Sequence, residues 1–159
     1  MSQFISFQVA EARYALPLSS VLQVLRFENV TSVPMAPAFV EGILNLGGEV
    51  VPVVNLRLRF GLEREAPGRR SRVLVIEQGG AKHGLLVDGV KEILDLEDSS
   101  ILRGASPLSG LKAEMVAGIA KVRETLVVIL EAGHLLSAEP ARGPLPELER
   151  AEEAGGGGP

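Results

Sequence analysis

Residues 4–25 read FISFQVAEARYALPLSSVLQVL, residues 73–94 read VLVIEQGGAKHGLLVDGVKEIL, and the two lie over each other without a gap. Each is a series of short, apolar, β-branched runs separated by polar or glycine-containing breaks, which reads as strand, turn, strand, turn, strand. The first turn falls at residues 10–13 in one copy and 79–82 in the other, where Gly79-Gly80 is a hairpin signal. The second turn begins at Ser19 or Asp88, whose side-chain oxygens suit the cap of a single helical turn.

The same comparison works further along. Residues 39–60 (FVEGILNLGGEVVPVVNLRLRF) lie over residues 115–136 (MVAGIAKVRETLVVILEAGHLL), and each predicts a hairpin followed by a short helical turn. Gly42 and Gly118 occupy the same place within the first strand of that hairpin, where glycine marks a bulge or a barrel bend. Identities between the copies are few, so the shared order of strands and turns carries the repeat. About five short strands per copy are too few for a sandwich and enough to curl into a small barrel. The chain is therefore expected to be mainly β, with two similar five-stranded barrels packed on each other around a shared core. The connection at residues 65–71 is the expected boundary between the halves, with the first and last segments able to cross over. Pro17 and Pro52 fall in first-half strands, where proline belongs at edges.

Composition agrees. The chain has 159 residues, of which 46% are hydrophobic but only 4% aromatic, so the core is built from Val, Leu and Ile. The folded body is expected over residues 1–138. Residues 139–159 (EPARGPLPELERAEEAGGGGP) are rich in Pro, Glu and Gly, and are expected to form a disordered tail. That tail accounts for most of the net charge of -4, leaving a near-neutral body. Lys and Arg are scattered along the chain, so no basic stripe for nucleic acid is expected. Cysteine is absent, which excludes disulfides and thiolate metal sites. No signal-like start or membrane-length apolar run is visible, and a soluble cytoplasmic location without membrane insertion is expected.

Catalytic chemistry has no foothold in the pattern. His83 and His134 lack a carboxylate or second histidine at ligand spacing, which leaves no metal site. Asp88 reads as a cap, and Asp95 and Asp98 as turn residues after a strand. Gly47-Gly48 and Gly79-Gly80 do not sit in a phosphate-loop pattern, and neither the Ser99-Ser100 pair nor Ser106 and Ser109 stands in a nucleophile elbow. No catalytic residue and no cofactor is expected. Apolar side chains, however, are in excess: Ile5, Leu18 and Val21 compete for core places with Phe4, Phe7 and Leu16. Core packing and a binding face are both open readings of them.

Residues 36–61 (APAFVEGILNLGGEVVPVVNLRLRFG), with GLLVDGVKEIL and VAGIAKVRETLVVIL in the second half, resemble the CheW family of bacterial chemotaxis coupling proteins. The resemblance runs from about residue 4 to residue 136 and implies two five-stranded barrels of the SH3-like kind. It also implies a non-enzymatic adaptor that joins the regulatory domain of a CheA-type histidine kinase to the cytoplasmic tip of chemoreceptors in arrays at the inner face of the membrane. Other CheW-like proteins are further partners it suggests. Carried over by position, the kinase-facing patch falls on Ile5, Leu18 and Val21, and the receptor-facing surface on Gln23, Gly42, Asn45 and Gly47. The chain departs from the family in two linked places. Gly47 stands where the turn usually has arginine, and Gln23 where glutamate is frequent, so both halves of a charged pair are missing together. Asn55, where Asp is commoner, is a milder departure. Two alternatives follow: a specialised adaptor with weakened or altered receptor coupling that tunes array assembly, and a small-molecule-binding double barrel with its ligand between the halves.

Overall fold

The computed structural model describes residues 1–103 and 113–136. The described residues form ten strands: β1 (Ser2–Val9), β2 (Ala12–Pro17), β3 (Val21–Arg26), β4 (Val40–Leu46), β5 (Glu49–Asn55), β6 (Arg72–Gln78), β7 (Ala81–Val87), β8 (Gly89–Leu96), β9 (Val116–Val122) and β10 (Thr125–Leu130). Two one-turn helices, α1 (Leu56–Arg59) and α2 (Ala132–Leu135), follow β5 and β10, and 3-10 turns cover Leu18–Ser20, Asp98–Ser100 and Ala113–Met115. No described helix is long and apolar enough to cross a membrane.

The strands form two five-stranded sheets, ordered β8-β1-β2-β10-β9 and β3-β6-β7-β5-β4. Substituting β6 for β1, β7 for β2 and so on through the repeat converts one order into the other. Each barrel therefore takes its central hairpin from one copy of the repeat and its remaining three strands from the other copy. Residues 65–71 accordingly do not divide the barrels; they join α1 to β6, and β5 and β6 belong to the same sheet. Parallel pairing of β2 with β10 and of β5 with β7 seals the exchange.

Three apolar clusters result, and equivalent positions of the repeat serve equivalent clusters. Phe4, Ala15, Leu94, Ala120, Val127 and Ile129 fill the first barrel; Leu44, Val51, Val53, Val73, Val75 and Leu86 fill the second. The largest lies between them, with Ile5, Phe7, Leu16, Leu56, Leu74, Ile76, Leu85 and Leu130 among its members. Several of these are wholly buried, so the centre of the contact between the barrels is packed with side chains.

Each sheet-edge strand carries a bulge. Register shifts place the extra residue at Leu22 in β3, Glu41 in β4, Ala117 in β9, and within Lys91–Glu92 in β8. Bulges bend a strand and interrupt its free edge, which serves both barrel closure and protection from edge-to-edge association. In β8 the buried hydroxyl of Ser6 supports the bulge, donating to the Glu92 carbonyl at 2.8 Å and accepting from its N–H at 3.1 Å.

Gly42 and Gly118 stand beside these bulges, as their shared place in the repeat predicts. A β-carbon on Gly42 would lie 2.3 Å from the carbonyl oxygen of Thr31, which bridges to Ile43; one on Gly118 would lie 2.5 Å from Ile101. Backbone cannot yield as a flexible side chain can. Gly42→Ala is expected to cost about 2 kcal/mol of stability, measured by urea unfolding. Gly68→Ala, with open space around the new methyl, should be near neutral.

Other expectations are corrected. Ser19 makes no cap: the turn at Leu18–Ser20 starts after Pro17 with no side-chain capping bond. Asp88 caps no helix either, since β7 runs almost directly into β8; its carboxylate accepts from Ala10 N–H at 2.7 Å and pairs with Arg57 at 2.9 Å. Pro52 lies in β5, an inner strand. It is tolerated there because the ladder with β7 begins only at Val53. The 139–159 tail and the Ser106 and Ser109 segment lie outside the described residues.

Candidate partner-binding surface

β3 is an edge strand, and its bulge at Leu22 decides which side chains face outward. Before the bulge, Val21 is opposite Ile76 and packs, half-buried, against the inter-barrel cluster, as does Leu18. Beyond it, Leu25 packs against the interior of its barrel. Leu22 and Val24 are left at 48% and 44% exposure. The proposed apolar patch is thus changed in membership. Ile5, only 6% exposed and part of the inter-barrel core, is not a surface residue. Leu18 and Val21 are half-buried, and Leu22 and Val24 form their exposed continuation. Sequence reading passed over Leu22 and Val24 because simple alternation along β3 fails at a bulge.

The second part of the surface is the β4–β5 hairpin. Leu46 pairs with Glu49, leaving Gly47-Gly48 as a two-residue turn with φ of +59° and +93°. These angles fit a type I′ turn, the form whose twist matches the flanking strands. Asn45 fastens it: its Oδ1 accepts the Gly48 N–H at 2.8 Å. Asn45, Gly47 and Gln23 are exposed, and Val50 beside the turn is 65% exposed. Gly42, in contrast, is buried beneath Thr31 and shapes β4 without offering surface.

The second copy of the repeat throws light on the missing charges. Gly47 corresponds to Arg123 and Gln23 to Glu92. Arg123 sits in the β9–β10 turn at φ +48° and forms an ion pair with Glu92 of β8, which Arg13 also approaches at 3.8 Å. The arginine–glutamate pair absent from the first copy is therefore present at the equivalent positions of the second. Since the strand order is the same in both sheets, Gln23 stands to Gly47 as Glu92 stands to Arg123. Comparison of the two copies position by position would have shown this in the sequence.

Asn55 also acquires a reason. Its Oδ1 caps α1 by accepting the N–H of Arg57 at 2.9 Å, while its Nδ2 donates to Glu41 Oε1 at 3.0 Å. Burial acts to raise the Glu41 pKa, but the hydrogen bonds from Arg64 and Asn55 and the charge of Arg64 hold it below its usual value. An aspartate at position 55 would still cap the helix but would set a second carboxylate against Glu41. Asn55→Asp is expected to cost about 1–3 kcal/mol at pH 7. The folded variant would bind a proton more readily than the unfolded chain, so its deficit against the wild type should shrink as pH falls toward 4.5. Urea midpoints of both proteins at the two pH values check this.

Among the described residues, neither histidine is grouped with other potential metal ligands. Burial lowers the His83 pKa, and no described cluster of three or more His, Cys, Asp or Glu residues is placed to hold a metal ion. His134 lies in α2, where its backbone carbonyl accepts from Arg59 at 3.4 Å.

The chain is matched over residues 3–139 by the CheW-like domain profile. It is 31% identical over 137 residues to a "Chemotaxis protein CheW" of Helicobacter pylori, covering 86% of this chain and 82% of that protein. It is 35% identical over 119 residues to "Protein FrzA" of Myxococcus xanthus, covering 74% and 72%. Among solved structures, the scaffolding protein TtCheW from Thermoanaerobacter tengcongensis superposes with a TM-score of 0.79 at 32% identity, covering 86% of this chain and 88% of that one.

Proposed function

This chain belongs to the CheW-like domain family, and from that premise we propose that it is a non-enzymatic adaptor coupling chemoreceptors to a CheA-type histidine kinase. Its place is then cytoplasmic, in clusters held at the inner face of the membrane by receptor arrays. The observation that carries the reading is the surface of β3 and the β4–β5 hairpin. Edge strand β3 exposes Leu22 and Val24 while Leu18 and Val21 are half-buried, and in the same sheet a fastened turn exposes Asn45 and Gly47. Apolar surface on a rigid edge, with no reactive group among it, suits a protein that works by holding others. Leu18 and Val21 are assigned to the kinase regulatory domain, with Ile5 in the core cluster they pack against; Gln23, Asn45 and Gly47 are assigned to the receptor tip.

The neutral Gly47–Gln23 corner favours a second form of the same reading, in which kinase contact is kept while receptor coupling is weakened or altered. Binding measured separately to the kinase regulatory domain and to the receptor tip of the same organism tests both forms. Binding to both supports the coupling adaptor, and binding to the kinase alone supports the tuning form. Binding to neither overturns the proposal.

A further inference from the structure

Although basic residues are scattered along the sequence, the fold gathers four arginines at one end of the second sheet. Arg26 ends β3 and Arg72 begins β6, and the two are directly opposite in the ladder. With Arg69 and Arg70 they line a concavity of about 410 Å³. Like charges directly opposite on an antiparallel pair are destabilising, so this arrangement calls for a compensating anion. The described part of the chain supplies none: none of the four forms an ion pair with a described carboxylate. Asp88 and Glu65 line the adjoining depression with Arg69 and Arg70, but both are engaged by Arg57, at 2.9 and 3.4 Å.

The segment that presents these charges is a built turn. Ser71 is buried, its N–H donates to the Gly68 carbonyl at 3.1 Å, and its Oγ accepts the Gly68 N–H at 2.9 Å. Arg69 and Arg70 are thereby held at the middle of the turn. Arg72 Nη1 donates to the carbonyls of Arg69 and Ser71 at 2.9 and 2.8 Å, which braces the turn and keeps its charge beside the others.

We infer that Arg26, Arg69, Arg70 and Arg72 form a binding site for a group of clustered phosphates. Guanidinium forks match phosphate oxygens in bidentate geometry. Their convergence from two chain segments on one small concavity fits a di- or triphosphate rather than a long polyanion. The same chemistry is offered by a free polyphosphate anion and by the packed headgroups of an anionic lipid surface.

The test uses the full chain, with sodium tripolyphosphate as the soluble probe and phosphatidylcholine vesicles with or without phosphatidylglycerol as the lipid probe. Tripolyphosphate is expected to raise the Tm above that in sodium chloride of equal ionic strength. Binding should be at least about tenfold weaker in Arg26→Gln/Arg70→Gln. The lysine pair Arg26→Lys/Arg70→Lys, which keeps charge but loses the fork, should fall between. Without ligand the glutamine variant should melt no lower than the wild type, because a repulsion has been removed. Should it melt lower, Arg69→Gln alone provides the comparison. Co-sedimentation that depends on phosphatidylglycerol and is lost in the variant assigns the site to lipid; a Tm response without it assigns the site to free phosphate. Absence of both responses, or responses undiminished in the variants, would overturn the inference.

Discussion

Leu18→Glu with Val21→Glu is expected to weaken binding to the kinase regulatory domain by more than about a hundredfold. Both side chains pack against the inter-barrel cluster from the 3-10 turn and the start of β3, and the next residue of that strand, Leu22, is exposed. A carboxylate there would be desolvated by any apolar partner, and truncating or charging such a centre costs 2 kcal/mol or more at protein interfaces, roughly thirtyfold or more per residue. Because they are half-buried, the pair should also lower folding stability, by about 1–3 kcal/mol. Leu22→Glu separates the two effects. At 48% exposure its side chain has little folding role, so the variant should melt like the wild type and still lose kinase affinity. If Leu22→Glu and Val21→Glu each remain folded and bind kinase as the wild type does, this face is not the kinase contact.

Gly47→Arg combined with Gln23→Glu is expected to raise affinity for a conventional chemoreceptor tip by about ten- to a hundredfold, with kinase affinity unchanged. A charge-assisted hydrogen bond at a partner surface is worth roughly 1.5–3 kcal/mol. The geometry for such a pair is on view in the second copy of the repeat, where Arg123 and Glu92 meet. Gly47 has φ +59°, a region costing an L-residue about 1–2 kcal/mol. The second hairpin nevertheless accepts Arg123 at +48° and Glu124 at +72° in the equivalent turn. Gly47→Arg alone should therefore lower stability modestly without opening the hairpin. The pair itself would add little to folding, since the equivalent Arg123 and Glu92 side chains are 68% and 39% exposed and screened by solvent. Receptor affinities of the wild type, both single variants and the double variant form the cycle. The two substitutions should exceed the sum of their separate effects by about 0.5–3 kcal/mol. Strong wild-type receptor binding that the double variant does not improve would show that this protein reads receptors without the charged pair.

Much of the architecture was legible because repeats and hairpins are local. Gly79-Gly80 and Gly47-Gly48 mark turns by conformational need, and both pairs adopt positive φ. Gly42 and Gly118 mark bulges because a β-carbon would strike a neighbouring segment. Asp88 misled because local reading offered it only a cap, whereas its partners, Ala10 and Arg57, come from the β1–β2 turn and from α1. Ile5 misled for a related reason. It was one apolar residue among several in an alternating strand, and its burial depends on a second barrel packing against that face.

By itself, the sequence determined the number and order of the strands, the glycine-marked hairpin turns, the bulges beside Gly42 and Gly118, and the likeness of the two halves. Each of these rests on period-two patterning and on glycine or proline within a few residues. Only the tertiary structure decided that each barrel is assembled from both halves, because parallel pairing of β2 with β10 and of β5 with β7 joins segments far apart in the chain. It likewise decided which apolar residues remain at the surface, since a single bulge at Leu22 changes the facing of β3. The convergence of Arg26 with Arg69, Arg70 and Arg72 is of the same kind: charges distant in sequence become neighbours through strand register, which local composition does not encode.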